Sequence, residues 1–151
     1  MTGEPEVAIR LRMRDESDVV IARKRAHELA MQQGFTGAAA AALATAVSEV
    51  SRNIVVHAGG GEVMLTAAVR AGTRGVVVTA LDAGPGIRDI DEAMRDGFST
   101  AGSLGFGLPA ARRLVDEFEI ESEVGVGTRI TLRHWRAEAT AARPSPNSDR
   151  P

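Results

Sequence analysis

A two-layer α/β sandwich, with a mixed sheet and three main helices on one face, is the fold class this sequence predicts. Three observations lead there. Apolar patterning gives the order strand, helix, helix, strand, strand, short helix, loop, helix, strand, strand. Two strand pairs are joined by tight glycine turns and are therefore antiparallel neighbours. The strands do not alternate with helices, as a doubly wound sheet would require. At 151 residues the chain can bury one such core and not two.

Each element has its own signal. Residues 1–6 lack periodicity and are expected to be disordered. Val7 to Met13 alternates Val7, Ile9, Leu11 and Met13 with Arg10, Arg12 and Arg14, the pattern of a half-buried strand. Asp15 to Asp18 supplies N-cap candidates for a helix over Val19–Gln33, which Gly34 stops. Thr36 caps a second helix that runs to about Ala58, with Leu43, Val47, Val50 and Ile54 as its apolar stripe. Glu62 to Arg70 reads as a strand, 71–75 as a hairpin loop, and Val76 to Leu81 as a strand buried on both faces. A short helix covers Ile90 to Arg95. Residues 96–107 are too rich in glycine for a regular element. Leu108 to Phe118 is helical with Pro109 in its first turn. Ile120–Val124 and Thr128–Trp135 form a closing hairpin about Gly125-Val126-Gly127. The folded domain is expected over 7–136, with 137–151 a disordered tail.

Composition narrows the function. A formal net charge of −2 lacks the surplus of cations that neutralises phosphates, so no nucleic-acid partner is expected. There is no cysteine, which excludes disulfides and thiolate metal sites and makes the cytoplasm the default location. No uninterrupted run of about 18 apolar residues predicts a membrane span. Lys24 is the only lysine, within Arg23-Lys24-Arg25 on a solvated helix face. A P-loop needs a lysine after its glycines and a eukaryotic-type kinase needs one on a strand, so nucleotide binding here would take another form.

The second helix carries Glu49 one turn before Asn53, so a carboxylate and a carboxamide project into the same volume. A core helix has no packing reason for that pair, which points to a ligand; the alternative for Glu49 is a plain exposed glutamate. Asp82 ends the apolar strand and enters Ala83-Gly84-Pro85-Gly86; it is either a ligand-reading carboxylate or a turn former. Most of the 16 glycines fall in four loops, 59–61, 84–86, 97–107 and 125–127. The third runs into a helix whose first N–H groups are unsatisfied, a natural phosphate cradle. None of the three histidines has metal-ligand spacing with another. His57 either steadies its helix end or lines a pocket, and His134 has no evident role.

Glu49-x-x-x-Asn53 on a helix, Asp82-x-Gly84-x-Gly86 after a strand, Gly102-x-x-Gly105-x-Gly107 before a helix and Gly127-Thr128 entering the last strand together resemble the GHKL (Bergerat) ATP-binding fold. Asp96-Gly97-Phe98-Ser99-Thr100, Gly105-Phe106-Gly107-Leu108-Pro109 and Leu114-Val115-Asp116-Glu117-Phe118 narrow the resemblance to the anti-sigma-factor serine/threonine kinases, nearest to the RsbT-type switch kinases of the stressosome. The resemblance implies ATP and Mg²⁺ as cofactors. It implies that Asn53 holds the metal, Glu49 acts as catalytic base, and Asp82 reads the adenine amino group above Gly84 and Gly86. Ser99, Thr100, Gly102, Gly105, Phe106 and Gly107 would form a lid over the phosphates. Thr128 would support adenine, or serve the strand alone. Arg52 is expected to point away from the Glu49–Asn53 pair, toward ATP or a partner protein.

Two functions follow. One is a Mg²⁺-ATP-dependent serine/threonine kinase acting on a STAS-domain anti-anti-sigma or stressosome protein, then released to activate a PP2C-type phosphatase. The other is an anti-sigma factor or nucleotide-switched binding module with little turnover, whose partner is a sigma factor. Glu49 favours the kinase, because a pure binding module needs no base.

Overall fold

The long alanine-rich helix is the spine of the molecule. A computed structural model describes residues 8–95 and 104–137; the expected disordered ends, apart from Ala137, lie outside the described residues. The spine, α2, spans Gly37–Asn53. Thr36 caps it by accepting the Ala39 N–H at 3.1 Å. Its stripe of Leu43, Val47, Val50 and Ile54 is at most 2% exposed. The predicted regular helix to Ala58 is corrected: at Ile54 the hydrogen bonding widens into a π segment, Ile54–Ala58, which Gly59 ends in the left-handed region at φ 77°. Gly37–Ala58 is long and apolar enough, by length and composition, to cross a membrane, but half of its most apolar window is buried in the core.

Five strands form the second layer: β1 (Ala8–Met13), β2 (Gly61–Arg70), β3 (Thr73–Asp82), β4 (Glu117–Glu123) and β5 (Gly127–Trp135). Their order is β1-β2-β3-β5-β4. Every neighbouring pair is antiparallel. The expected mixed sheet is therefore corrected to a wholly antiparallel one. The physical reason is the closing hairpin: β4 takes the edge and β5 folds back into the gap beside β3, running against both. The β2–β3 hairpin closes in two residues, Ala71 and Gly72, both with positive φ, which is shorter than the predicted loop of five.

Helices α1 (Glu16–Gln32), α2 and α4 (Leu104–Leu114) cover one face, and short α3 (Ile90–Ala93) borders them. Asp15 caps α1 by accepting the Ser17 and Asp18 N–H groups. Two predicted boundaries move. Helix α4 begins within the glycine-rich stretch, at Leu104, and ends at Leu114. Glu117 and Phe118 belong to β4, because the alternation of Phe118 and Ile120 toward the core with Glu117, Glu119 and Glu121 outward is a strand period. The core is aliphatic, from Met13 and Leu43 through Val63, Leu65 and Val78 to Ile130 and Leu132, in keeping with 3% aromatic residues.

Candidate nucleotide-binding cleft

Three element ends meet on the helical side of the sheet: the end of α2 with its π segment, the C-terminal end of β3, and the start of β5. Asp82 and Thr128 are register partners across β3 and β5. Together with Asn53, His57, Ala58, Gly86, Ile87 and the stretch toward α3 they enclose a cleft of about 320 Å³, in the range of small-molecule sites.

Asn53 is the last residue of α2, and its Oδ1 is buried without a hydrogen-bond donor among the described residues. A buried carbonyl oxygen left unpaired is costly and calls for an explanation. A neutral oxygen donor of this kind fits a hydrated Mg²⁺, which prefers oxygen ligands. Among the described residues no group of three His, Asp or Glu side chains is placed to hold a metal.

Asp82 Oδ1 accepts the Gly84 N–H at 2.9 Å. That bond fixes the carboxylate at the start of the loop and spends one oxygen; the other meets no donor among the described residues and can accept from a ligand. Gly84 is required by close approach, since a Cβ there would stand 2.6 Å from the Ala58 Cβ. Gly86 has φ +80°, and a Cβ there would run into the Glu123 carbonyl. The loop is thus clamped between the π segment and the β4–β5 turn.

Sequence reasoning missed Ser122. Its Oγ accepts the Ile87 N–H at 2.7 Å, stands 2.8 Å from Thr128 Oγ1 and lies 3.1 Å from the Gly127 carbonyl. Three parts of the cleft wall converge on this one hydroxyl. The available signal was positional: Phe118, Ile120 and Ser122 share the core face of β4, and a serine there needs polar partners. Thr128, 7% exposed, is held in this group. Pro85, Arg88, Asp89 and Glu92 also line the cleft, with no sequence signal beyond following the glycine loop.

Glu49 does not line the cleft. It sits one turn earlier on α2, half-buried, with Oε1 beside the start of α4: a Cβ at Gly107 would come within 3.2 Å of that oxygen. Arg52 is corrected from its expected direction. Its Nη1 lies 3.6 Å from Glu49 Oε1 and its Nη2 3.4 Å from Glu16 Oε2. Three residues apart on a helix, a long guanidinium reaches back to the carboxylate, so Arg52 pairs with Glu49 rather than facing away. His57 lines the cleft, and burial pushes its imidazole below the ordinary histidine range. Ser99, Thr100 and Gly102 lie outside the described residues. Gly105 and Phe106 fall in the first turn of α4, as does Gly107.

Comparisons with known proteins agree with this fold. The family described as histidine kinase-like ATPase domain matches residues 12–134. The serine/threonine-protein kinase RsbT of Bacillus subtilis (strain 168) is 42% identical over 125 residues, covering 83% of this chain and 94% of the relative. The anti-sigma F factor of Geobacillus thermodenitrificans is 34% identical over 104 residues, covering 64% of this chain and 70% of the relative. The crystal structure of the RsbU and RsbW domains of a Mycobacterium tuberculosis protein superposes with a TM-score of 0.58 at 24% identity. The match covers 89% of this chain and 34% of that longer one, and supports the fold alone.

Proposed function

Because the chain belongs to the histidine kinase-like ATPase family, in the branch shared by RsbT-type kinases and anti-sigma factors, we propose that it is a Mg²⁺-ATP-dependent serine/threonine protein kinase of a cytoplasmic partner switch. Its substrate is a STAS-domain antagonist, and phosphorylation releases the kinase to activate a PP2C-type phosphatase. The domain is taken as residues 7–136. The observation that carries the reading is the buried, unpartnered Asn53 Oδ1 in the cleft, one helical turn from Glu49.

Bound Mg²⁺-ATP would supply the transferable phosphoryl group and the charge that screens it. This chain's own residues do the rest. Asp82 presents its free carboxylate oxygen to the amino group of adenine, which selects ATP over GTP. Thr128 and Ser122 hold the floor beneath the base. Asn53 contributes its amide oxygen to the metal. Glu49, steadied by Arg52, takes the proton from the incoming serine or threonine hydroxyl. The first turn of α4 passes close to Glu49 at Gly107, so the end of the lid stretch and the base are neighbours. The alternative, a nucleotide-switched binding module related to the anti-sigma factors, uses the same cleft without Glu49.

The test mixes γ-labelled ATP with the protein and a candidate STAS-domain partner. Label should pass to a serine or threonine of the partner. Glu49→Ala should keep nucleotide affinity and lose about 10²–10⁴ in transfer rate. ATP-dependent partner binding with no transfer by the wild type would sink the kinase reading and leave the binding module.

A further inference from the structure

Glu16, Arg52 and Glu49 form a chain of charges across the helical layer. Arg52 Nη2 lies 3.4 Å from Glu16 Oε2, and Nη1 lies 3.6 Å from Glu49 Oε1. Both separations are long for charge-assisted hydrogen bonds, which close to about 2.7–2.9 Å. The guanidinium thus spans two carboxylates without being locked to either, and its side chain is 37% exposed. A planar fork of five N–H donors that makes two long contacts keeps capacity for a further anion.

Charge gives that capacity a use. A base at Glu49 must stand beside the terminal phosphate of the nucleotide, and two anions at that distance repel. Residues 96–107, the stretch expected to close over the phosphates, contain no lysine or arginine. Lys24 lies more than two turns along α1 from Glu16. Arg14 pairs with Asp18 at 3.5 Å. Arg112 and Arg113 occupy the last turn of α4, whereas Glu49 meets its first turn at Gly107. Arg88 follows Ile87, whose N–H is held by Ser122 beside Thr128, so it starts from the base end of the cleft. Arg52 already stands next to Glu49.

We propose that Arg52 binds the γ-phosphate of the nucleotide, turning to it from Glu16 while keeping Glu49 alongside. The proposal rests on the reading of the cleft as a Mg²⁺-ATP site. A nucleotide with its base at Asp82 and its phosphates passing Asn53 points its terminal phosphate toward Glu49, one helical turn or about 5.4 Å further along α2. That is within reach of a guanidinium anchored three residues from Glu49. Glu16, the first residue of α1, holds the cation at the rim of the empty site. In transfer, the substrate hydroxyl oxygen bonds to the γ-phosphorus and its proton passes to Glu49. The bond from phosphorus to the bridging oxygen breaks, and ADP leaves with the electron pair. Arg52 offsets the charge spread over the γ-phosphoryl oxygens throughout, as an arginine supplied in cis does in other phosphoryl transfers.

The test uses isothermal titration calorimetry on the full chain, with Mg²⁺-ADP and with the Mg²⁺ complex of a nonhydrolysable ATP analogue. Arg52→Ala should keep ADP affinity within about threefold and weaken the analogue at least about tenfold, because only the analogue carries the γ-phosphate. The same loss should appear when Arg52→Ala is placed on Glu49→Gln, since a direct contact does not act through the base. Arg52→Ala should also slow single-turnover transfer about 10²–10³-fold. Circular dichroism confirms that each variant folds. Equal losses for the two nucleotides, no loss, or a loss that vanishes on Glu49→Gln would each overturn the proposal. A wild type that binds both nucleotides with this dependence on Arg52, yet transfers no phosphate, would sustain the contact and sink the kinase reading. A wild type that binds neither would sink both.

Discussion

Replacing Asn53 with alanine should make the unliganded protein more stable while removing its response to Mg²⁺-nucleotide. Asn53 Oδ1 is buried with no donor among the described residues, and the side chain makes no capping hydrogen bond to the π segment that follows. Leaving an acceptor in that state costs about 1–3 kcal/mol, which deletion of the group recovers. Alanine is also the better helix former by roughly 0.5 kcal/mol. Against this stand the lost contacts of three heavy atoms beside an open cleft, on the order of 1 kcal/mol. The net expectation is a gain of about 1 kcal/mol, which for a chain of this size raises Tm by roughly 3–5 °C. With a nonhydrolysable ATP analogue and Mg²⁺ at about a hundred times Kd, the wild type should gain about 2.7 kcal/mol and the variant little. Calorimetry with and without ligand reads both effects. A ligand-free variant destabilised by more than about 1 kcal/mol would show that the amide is a structural member of the fold and refute the reasoning.

Other perturbations separate the parts of the site. Gly107→Ala places a methyl against Glu49 Oε1, at 3.2 Å, and should lower phosphoryl transfer about 10- to 100-fold with nucleotide affinity unchanged, read by single-turnover kinetics. Ser122→Ala strands the Ile87 N–H and frees Thr128, so urea denaturation should show a loss of about 1–3 kcal/mol together with weaker nucleotide binding. His57 should titrate below 6.5 in an NMR experiment, because burial disfavours its charged form. The unfolded chain then binds the proton more readily, so His57 costs no stability above 6.5 and destabilises progressively as pH falls from there through its folded value. His57→Gln should flatten that acid-side decline.

The sequence was most legible where one periodicity governed. The stripe Leu43–Ile54 located α2, and alternating Arg and Leu located β1. Asn53, Asp82, Gly86 and Thr128 converge on one cleft although 75 residues separate the first from the last. Their types stood out because each was a polar or glycine residue at the end of an apolar element. Legibility failed where two rules competed. Glu117 and Phe118 continue the helical pattern of α4, yet they also begin a perfect alternation, and pairing with β5 decided for the strand. The mixed sheet was an error of topology: local turns reveal hairpins but not that β5 enters between β3 and β4. Ser122 and Arg52 were illegible for another reason. Their roles depend on partners 35 and 36 residues away in sequence, Ile87 and Glu16.

The π segment explains why the polar residues at the end of α2 share one cleft. Had α2 continued regularly from Asn53, His57 and Ala58 would have kept their helical positions above Asn53 and Ile54, and the loop at Gly84 would have met a straight helix wall. Widening the turn inserts a residue and re-aims the backbone. Ala58 then closes to within van der Waals contact of Gly84, and Gly84 donates to Asp82. The Asp82 carboxylate, proposed to read adenine, and the Asn53 amide, proposed to face the metal, are thereby set by one stretch of backbone. Ile54, 2% exposed, anchors the start of that segment in the core, and Gly59 ends it sharply. A helix end with one loosened turn, fixed at both sides, holds Asn53 and the Asp82 loop in one geometry while leaving the cleft between them open to a nucleotide.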